Sequence, residues 1–198
     1  RLVGNVKLGT SNGLEWVFIS VYVETGAVWE LGPDEVIKIG SDSANIDVYG
    51  TLRTNTTAAN PVVFTSINDN DYGYLISSLA PAKGDWGGIY VRSGGTAVLD
   101  HAVVRYAGST STGYRPDALV GVEIGGSLTL TNSTLQYSLR HGVHVDGVEE
   151  QSILNNTISD CTSYGIYVVD SAANGTPLNP EIRGNVINNT STPIYLNS

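Results

Sequence analysis

Four short strings in this chain are one pattern written repeatedly: GGIYV at 87–91, VGVEI at 120–124, HGVHV at 141–145 and YGIYV at 164–168, with PIYL at 193–196 as a further copy. A second run recurs behind them, VLDHAVVRY at 98–106 becoming TLTNSTLQY at 129–137, SILNNTISD at 152–160 and EIRGNVINN at 181–189, which puts Leu99, Leu130, Ile153 and Ile182 in register. The shared glycines fall at 88, 121, 142 and 165, so the period is about 22 residues, with a longer first step that carries an inserted loop at 109–118. A repeat of this length is too short for a propeller blade and lacks a leucine-rich consensus. Short apolar alternations separated by Gly, Asn and Ser corners suit instead a coil of parallel strands, in which rungs stack about 4.8 Å apart and equivalent residues form columns.

Composition points the same way. With 23 Gly, no Met and an abundance of Val, Ile, Thr, Asn and Tyr, the chain is poor in helix formers and reads as all-β. The formal net charge of −9 leaves no basic stripe for nucleic acid or an anionic membrane surface. The longest apolar stretch, WVFISVYV at 16–23, is far shorter than the roughly 20 residues that span a bilayer, so no membrane insertion is expected. The chain opens at Arg1 rather than Met, which reads as a processed chain or a fragment. Cys161 is the one cysteine and reads as a small buried hydrophobe, with no internal disulfide available to it.

The order IDVYGTLRTN, PVVFTSINDND, GDWGGIYVRSGGTAVLDHAVVRYAG resembles the right-handed parallel β-helix repeat proteins of bacterial and archaeal cell surfaces, a superfamily similar in fold to pectate lyases. The resemblance spans residues 21–198 and implies a solenoid domain there, with residues 1–20 as an N-terminal capping segment and inserted loops near 68–85, 109–118 and 171–180. It implies an extracellular or cell-surface setting. The superfamily includes lyases, hydrolases, adhesins, binding modules and structural domains, so function must be read from surface residues.

Period-two alternation assigns Ile89, Val91, Val122, Ile124, Val143, Val145, Ile166, Val168, Ile194 and Leu196 to the interior. One outward column then reads Tyr90, Glu123, His144, Tyr167, Tyr195 and the next reads Arg92, Gly125, Asp146, Val169, Asn197, with Trp86, His141 and Tyr164 alongside. Rings beside carboxylates, an imidazole and a guanidinium are the ingredients of a sugar-binding strip, for which Tyr90, Arg92, Glu123, His144, Asp146, Tyr167 and Tyr195 are the candidate contacts. The plainer reading is that Tyr is a good strand residue and that stacked rings stabilise a sheet without any ligand.

An enzymatic alternative, a polysaccharide lyase or glycoside hydrolase, places Glu123 and Asp146 as an acid/base pair with His144 and Arg92 orienting the sugar; set one rung and two residues apart, their backbones would lie about 8 Å apart. The polygalacturonase motifs are absent, and RHGVHVDG at 140–147 is only a loose echo of them. Asp69, Asp71 and Asp85 offer carboxylates for calcium, but NDNDYG at 68–73 lacks the later ligands of a calcium loop and reads as a polar turn. Otherwise no cofactor is expected. Asn132, Asn155, Asn156, Asn185, Asn188 and Asn189 recur at corners as amide ladders, and among the sequons Asn55 and Asn174 are the expected glycosylation sites because their loops leave room. The chain stops at PIYLNS with Ile194 to Asn197 as an open strand, which suggests end-to-end self-association with Leu14 to Val23 of a second copy, as in a filament subunit. The leading expectation is a non-catalytic exported module for adhesion, polysaccharide binding or assembly.

Overall fold

A computed structural model describes residues 1–8, 15–111, 117–147, 151–171 and 179–197. These residues make seven coils of three short strands each. The first three coils hold β1 (Asn5–Leu8), β2 (Glu15–Phe18) and β3 (Val21–Val23), then β4 (Val28–Leu31), β5 (Val36–Ile39) and β6 (Asn45–Val48), then β7 (Thr51–Thr54), β8 (Val62–Ser66) and β9 (Gly88–Val91). The fourth and fifth hold β10 (Thr96–Asp100), β11 (Ala102–Arg105) and β12 (Ala118–Val122), then β13 (Ser127–Thr131), β14 (Thr134–Gln136) and β15 (His141–Asp146). The last two hold β16 (Ser152–Leu154), β17 (Thr157–Ser159) and β18 (Tyr164–Val169), then β19 (Glu181–Arg183), β20 (Val186–Asn188) and β21 (Thr192–Asn197). Every third strand joins the same sheet, giving three seven-stranded sheets in which all neighbours are parallel. This is the coil of parallel strands that the repeat predicts, and it has three sides.

The interior is a set of aliphatic columns. Along the third sheet Val21, Ile46, Ile89, Val120, Val143 and Ile166 stack in register, and all are buried. Leu99, Leu130, Ile153 and Ile182 pair as expected on the first sheet. Trp86 fills a corner: it is fully buried and its indole Nε1 donates to the Arg105 carbonyl at 2.8 Å. Cys161 lies in the same core, and burial pushes its thiol up to about 12.

Two corner columns take left-handed backbone. His101, Asn132, Asn155 and Gly184 form one, and Tyr106, Tyr137, Asp160 and Asn189 form the other, all at positive φ. The run 98–106 therefore holds two strands, β10 and β11, broken at His101. The expected amide ladder stands just inside the first corner: Asn156 Oδ1 accepts from Ser133 N at 2.9 Å, Asn156 Nδ2 donates to Leu130 O and Asn185 Oδ1, and Asn185 Nδ2 donates to Ile153 O.

One register differs from the reading of the sequence. Gly121 lies opposite Tyr90 and His144, and Val122 opposite Val91 and Val145, so the VGVEI string sits two residues away from the glycine alignment. A slip of two preserves inward and outward parity, so alternation alone does not detect it. The consequence is that Ile124 leaves the core for the corner, 38 % exposed. The glycine pairs fix the true register, because Gly94 and Gly125 share positive φ, and a Cβ atom would clash with the Val48 carbonyl at Gly95 and with the Val122 side chain at Gly126.

Residues 1–20 carry β1 and β2, which are the first strands of two of the sheets, and Leu2 bridges to Val23 beside the third. The 68–85 loop folds over the outer face of the second sheet. There Lys38 Nζ donates to the Tyr74 carbonyl at 2.7 Å and pairs with Glu15 at 3.0 Å, leaving the lysine fully buried. At the other end of the chain, Ile194 and Leu196 continue the columns of Ile166 and Val168 but are exposed.

Candidate functional site

The third sheet, ordered β3, β6, β9, β12, β15, β18, β21, carries the chemistry that the sequence singles out. Its outward column reads Tyr22, Asp47, Tyr90, Gly121, His144, Tyr167, Tyr195. Glu123 is thus displaced from the ring column. It follows Val122, level with Arg92 and Asp146 in the neighbouring column.

That displacement settles what surrounds each charged group. Arg92 Nε and Nη2 donate to Asp47 Oδ1 at 2.9 and 2.8 Å, Nη1 donates to Glu123 Oε2 at 3.2 Å, and the guanidinium lies 4.1 Å from the Tyr90 ring centroid. Burial opposes the charge on Arg92, but Asp47 and Glu123 outweigh it and raise its pKa above the ordinary value. Glu123 Oε1 also accepts from Ser93 N at 2.8 Å. Asp146 accepts from Ser171 N at 3.0 Å and Ser171 Oγ at 2.7 Å. The two carboxylates of the acid/base reading are therefore not offset by two residues, as the sequence suggests. They lie in one column, each held by its own partners.

The rings gather further along the sheet. His141 stacks on Tyr164 with centroids 5.2 Å apart and on Tyr167 at 4.8 Å, Tyr164 and Tyr167 stack on each other at 5.1 Å, and Tyr195 continues the stack at 4.9 Å from Tyr164. His144 meets Tyr167 edge-on at 4.8 Å. Rings stacked along the coil axis cover one another's faces, so the expected row of open faces for pyranose stacking becomes a row of ring edges and hydroxyl groups. Tyr195 remains 38 % exposed, whereas Tyr90, under Arg92, is nearly buried.

Beside the stack lies a shallow cavity of about 300 Å³ lined by Asp117, Arg140, His141, His144, Ser163, Tyr164 and Tyr167. The register brings it together: Ala118 pairs with His141, so Asp117 and Arg140 stand at the same corner one coil apart. The Asp117 carbonyl accepts from His141 N at 3.0 Å, and the Arg140 carbonyl accepts from Ser163 N at 2.9 Å. Burial, followed by the neighbouring His144 and Arg140, lowers the His141 imidazole to about 3, so it is neutral at physiological pH. Burial raises the Asp117 carboxyl above the usual carboxylate range, partly offset by Arg140 and His144. Asp117 and Ser163 escape a reading of the strings alone, because they precede the repeated pattern. The Ala118 to His141 register is the signal that finds them.

The three aspartates that offer carboxylates for calcium do not gather into one cluster. Asp69 is fully buried, with Oδ2 accepting from Thr65 Oγ1 at 2.6 Å and facing Arg105 Nη1 at 3.3 Å. Asp71 pairs with Arg105 Nη2 at 3.0 Å. Asp85 stands apart, accepting from Ser66 Oγ and Asn68 Nδ2. The first two fasten the 68–85 loop to the coil through one arginine, and among the described residues no three His, Cys, Asp or Glu side chains assemble as a metal site. Of the expected glycosylation sites, Asn55 is exposed at the end of β7, and Asn174 lies outside the described residues.

Three parallel sheets closing round stacked aliphatic columns define a parallel β-helix. A family model described as the right handed beta helix region matches residues 67–198, two-thirds of the chain, and the chain belongs to that family. No curated protein and no solved structure matches it.

Proposed function

We propose that this chain is a non-catalytic, polysaccharide-binding β-helix module of the extracellular space or cell surface, with the ligand lying against the outward face of β15, β18 and β21. The observation that carries the reading is the aromatic stack of His141, Tyr164, Tyr167 and Tyr195 running beside a polar cavity on a rigid sheet. Ring edges supply apolar contact while phenol and imidazole groups supply hydrogen bonds, a combination suited to sugars, whose C–H faces and hydroxyls alternate. Anchorage on three consecutive strands holds the groups in place before binding, which limits the entropy lost when a long polymer docks. The acid/base alternative has less support, since Glu123 and Asp146 are each engaged by neighbouring donors.

Affinity electrophoresis through gels containing soluble polysaccharides tests this. Retardation by at least one polymer is expected, with Tyr167→Ala weakening it about 3- to 10-fold, as loss of one aromatic contact implies. Tyr106→Ala, at a stacked pair 4.9 Å from Tyr137 on a different side of the coil, should leave binding unchanged. Unretarded migration in every gel, with circular dichroism showing the β-fold intact, would contradict the reading.

A further inference from the structure

We infer that the cavity between Asp117 and Arg140 takes one neutral sugar residue of the bound polymer, recognised through its hydroxyl groups, and that it selects against acidic sugars. The inference rests on the polysaccharide-binding reading and adds the ligand's charge class and the groups that read it.

At about 300 Å³ the cavity is at the small end of ligand sites, which suits a single monosaccharide rather than an oligosaccharide enclosed along its length. Its lining is almost wholly polar, Asp117, Arg140, His141, His144, Ser163, Tyr164 and Tyr167, so an apolar ligand would displace water from these groups and return no hydrogen bond. A sugar hydroxyl both donates and accepts, and it needs both kinds of partner. Asp117 is the acceptor, Arg140 contributes only donors, and Ser163, Tyr164 and Tyr167 can act in either sense.

Charge then separates neutral from acidic sugars. Arg140 and Asp117 stand at one corner a coil apart and line the same cavity, so the cation already has a carboxylate of the protein beside it. A uronate would bring a second carboxylate against Asp117, in a chain whose formal net charge is −9. His141 does not compensate, because its buried imidazole is neutral. A neutral hydroxylated ring meets none of these penalties, and Asp117, partly withdrawn from water, makes the strong charge-assisted bonds that hydroxyl donors favour.

The test is isothermal titration calorimetry of the full chain with neutral oligosaccharides of glucose, mannose, galactose and xylose and with oligosaccharides of galacturonate and glucuronate. At least one neutral series should bind, and Asp117→Asn and Arg140→Gln should each weaken it about tenfold or more, the usual loss for a hydrogen bond to a charged group. Asparagine accepts the left-handed backbone that Asp117 adopts, so the variant is expected to fold, and near-ultraviolet circular dichroism of its tyrosines checks this. Binding confined to the uronates would overturn the inference and leave the polysaccharide reading standing. So would neutral binding untouched by both variants but lost with Tyr195→Ala. Absence of binding in both classes, alongside unretarded migration in the gels, would overturn the two together.

Discussion

Glu35 is a carboxylic acid 1 % exposed in the corner between β4 and β5, where Oε2 accepts from Gly32 N at 3.2 Å. Burial pushes its pKa from 4.5 up to about 7, against the lowering effect of that bond and of Trp16. The sign follows from linkage. Between pH 4.5 and 7 the folded chain holds a proton that the unfolded chain has released, so stability falls as pH rises through this window. Its full contribution is present below 4.5 and is lost above about 7. Glu35→Gln keeps an acceptor for Gly32 and removes the titration. The variant should gain on the order of 2 kcal/mol at pH 8, gain little at pH 4, and flatten the urea-midpoint profile between those limits. Equal midpoints for variant and wild type at pH 8 would show that water reaches this carboxyl.

Among the elements, the corner ladder of Asn156 and Asn185 does for each turn what hydrogen bonds do along a strand. Asn156 is buried, and truncation orphans Ser133 N and the Leu130 carbonyl at the site of the missing amide. Asn156→Ala is expected to cost about 2–4 kcal/mol by urea denaturation. Asn155→Gly, at the adjacent exposed corner with φ 57°, should change stability by less than about 0.5 kcal/mol, because glycine occupies that conformation at Gly184 one coil on. Comparable losses in both would mean that the corner is held by backbone alone.

These elements also show what the strings of the sequence could carry. The repeat, the all-β coil and the Leu99 to Ile182 column were legible because each coil repeats the same burial pattern. The placement of Glu123 was not, since shifting VGVEI by two residues leaves every apolar residue on the same side, and only the GG corners at Gly94 and Gly125 break the tie. The break of 98–106 into two strands was hidden for a different reason: His101 and Tyr106 take left-handed backbone without being glycine. The cavity was hardest to see. Asp117 and Arg140 lie in corners, outside the alternation, and only the Ala118 to His141 pairing makes them neighbours.

For the whole molecule, a coil with three sides offers three surfaces, and the proposed binding uses one of them. The second sheet is spoken for in part by the 68–85 loop, anchored through Lys38, Glu15 and Arg105. Its corner carries Tyr106 and Tyr137, stacked at 4.9 Å, which serve as internal controls for the rings of the third sheet. Hydroxyl-radical footprinting read by mass spectrometry, with and without a polysaccharide that retards the chain, measures all of these side chains in one experiment. Reduced oxidation is expected at His144, Tyr164, Tyr167 and Tyr195 on binding, with Tyr106 and Tyr137 unchanged. Protection confined to Tyr106 and Tyr137, or a bound complex with no protection at the four residues of the third sheet, would contradict it.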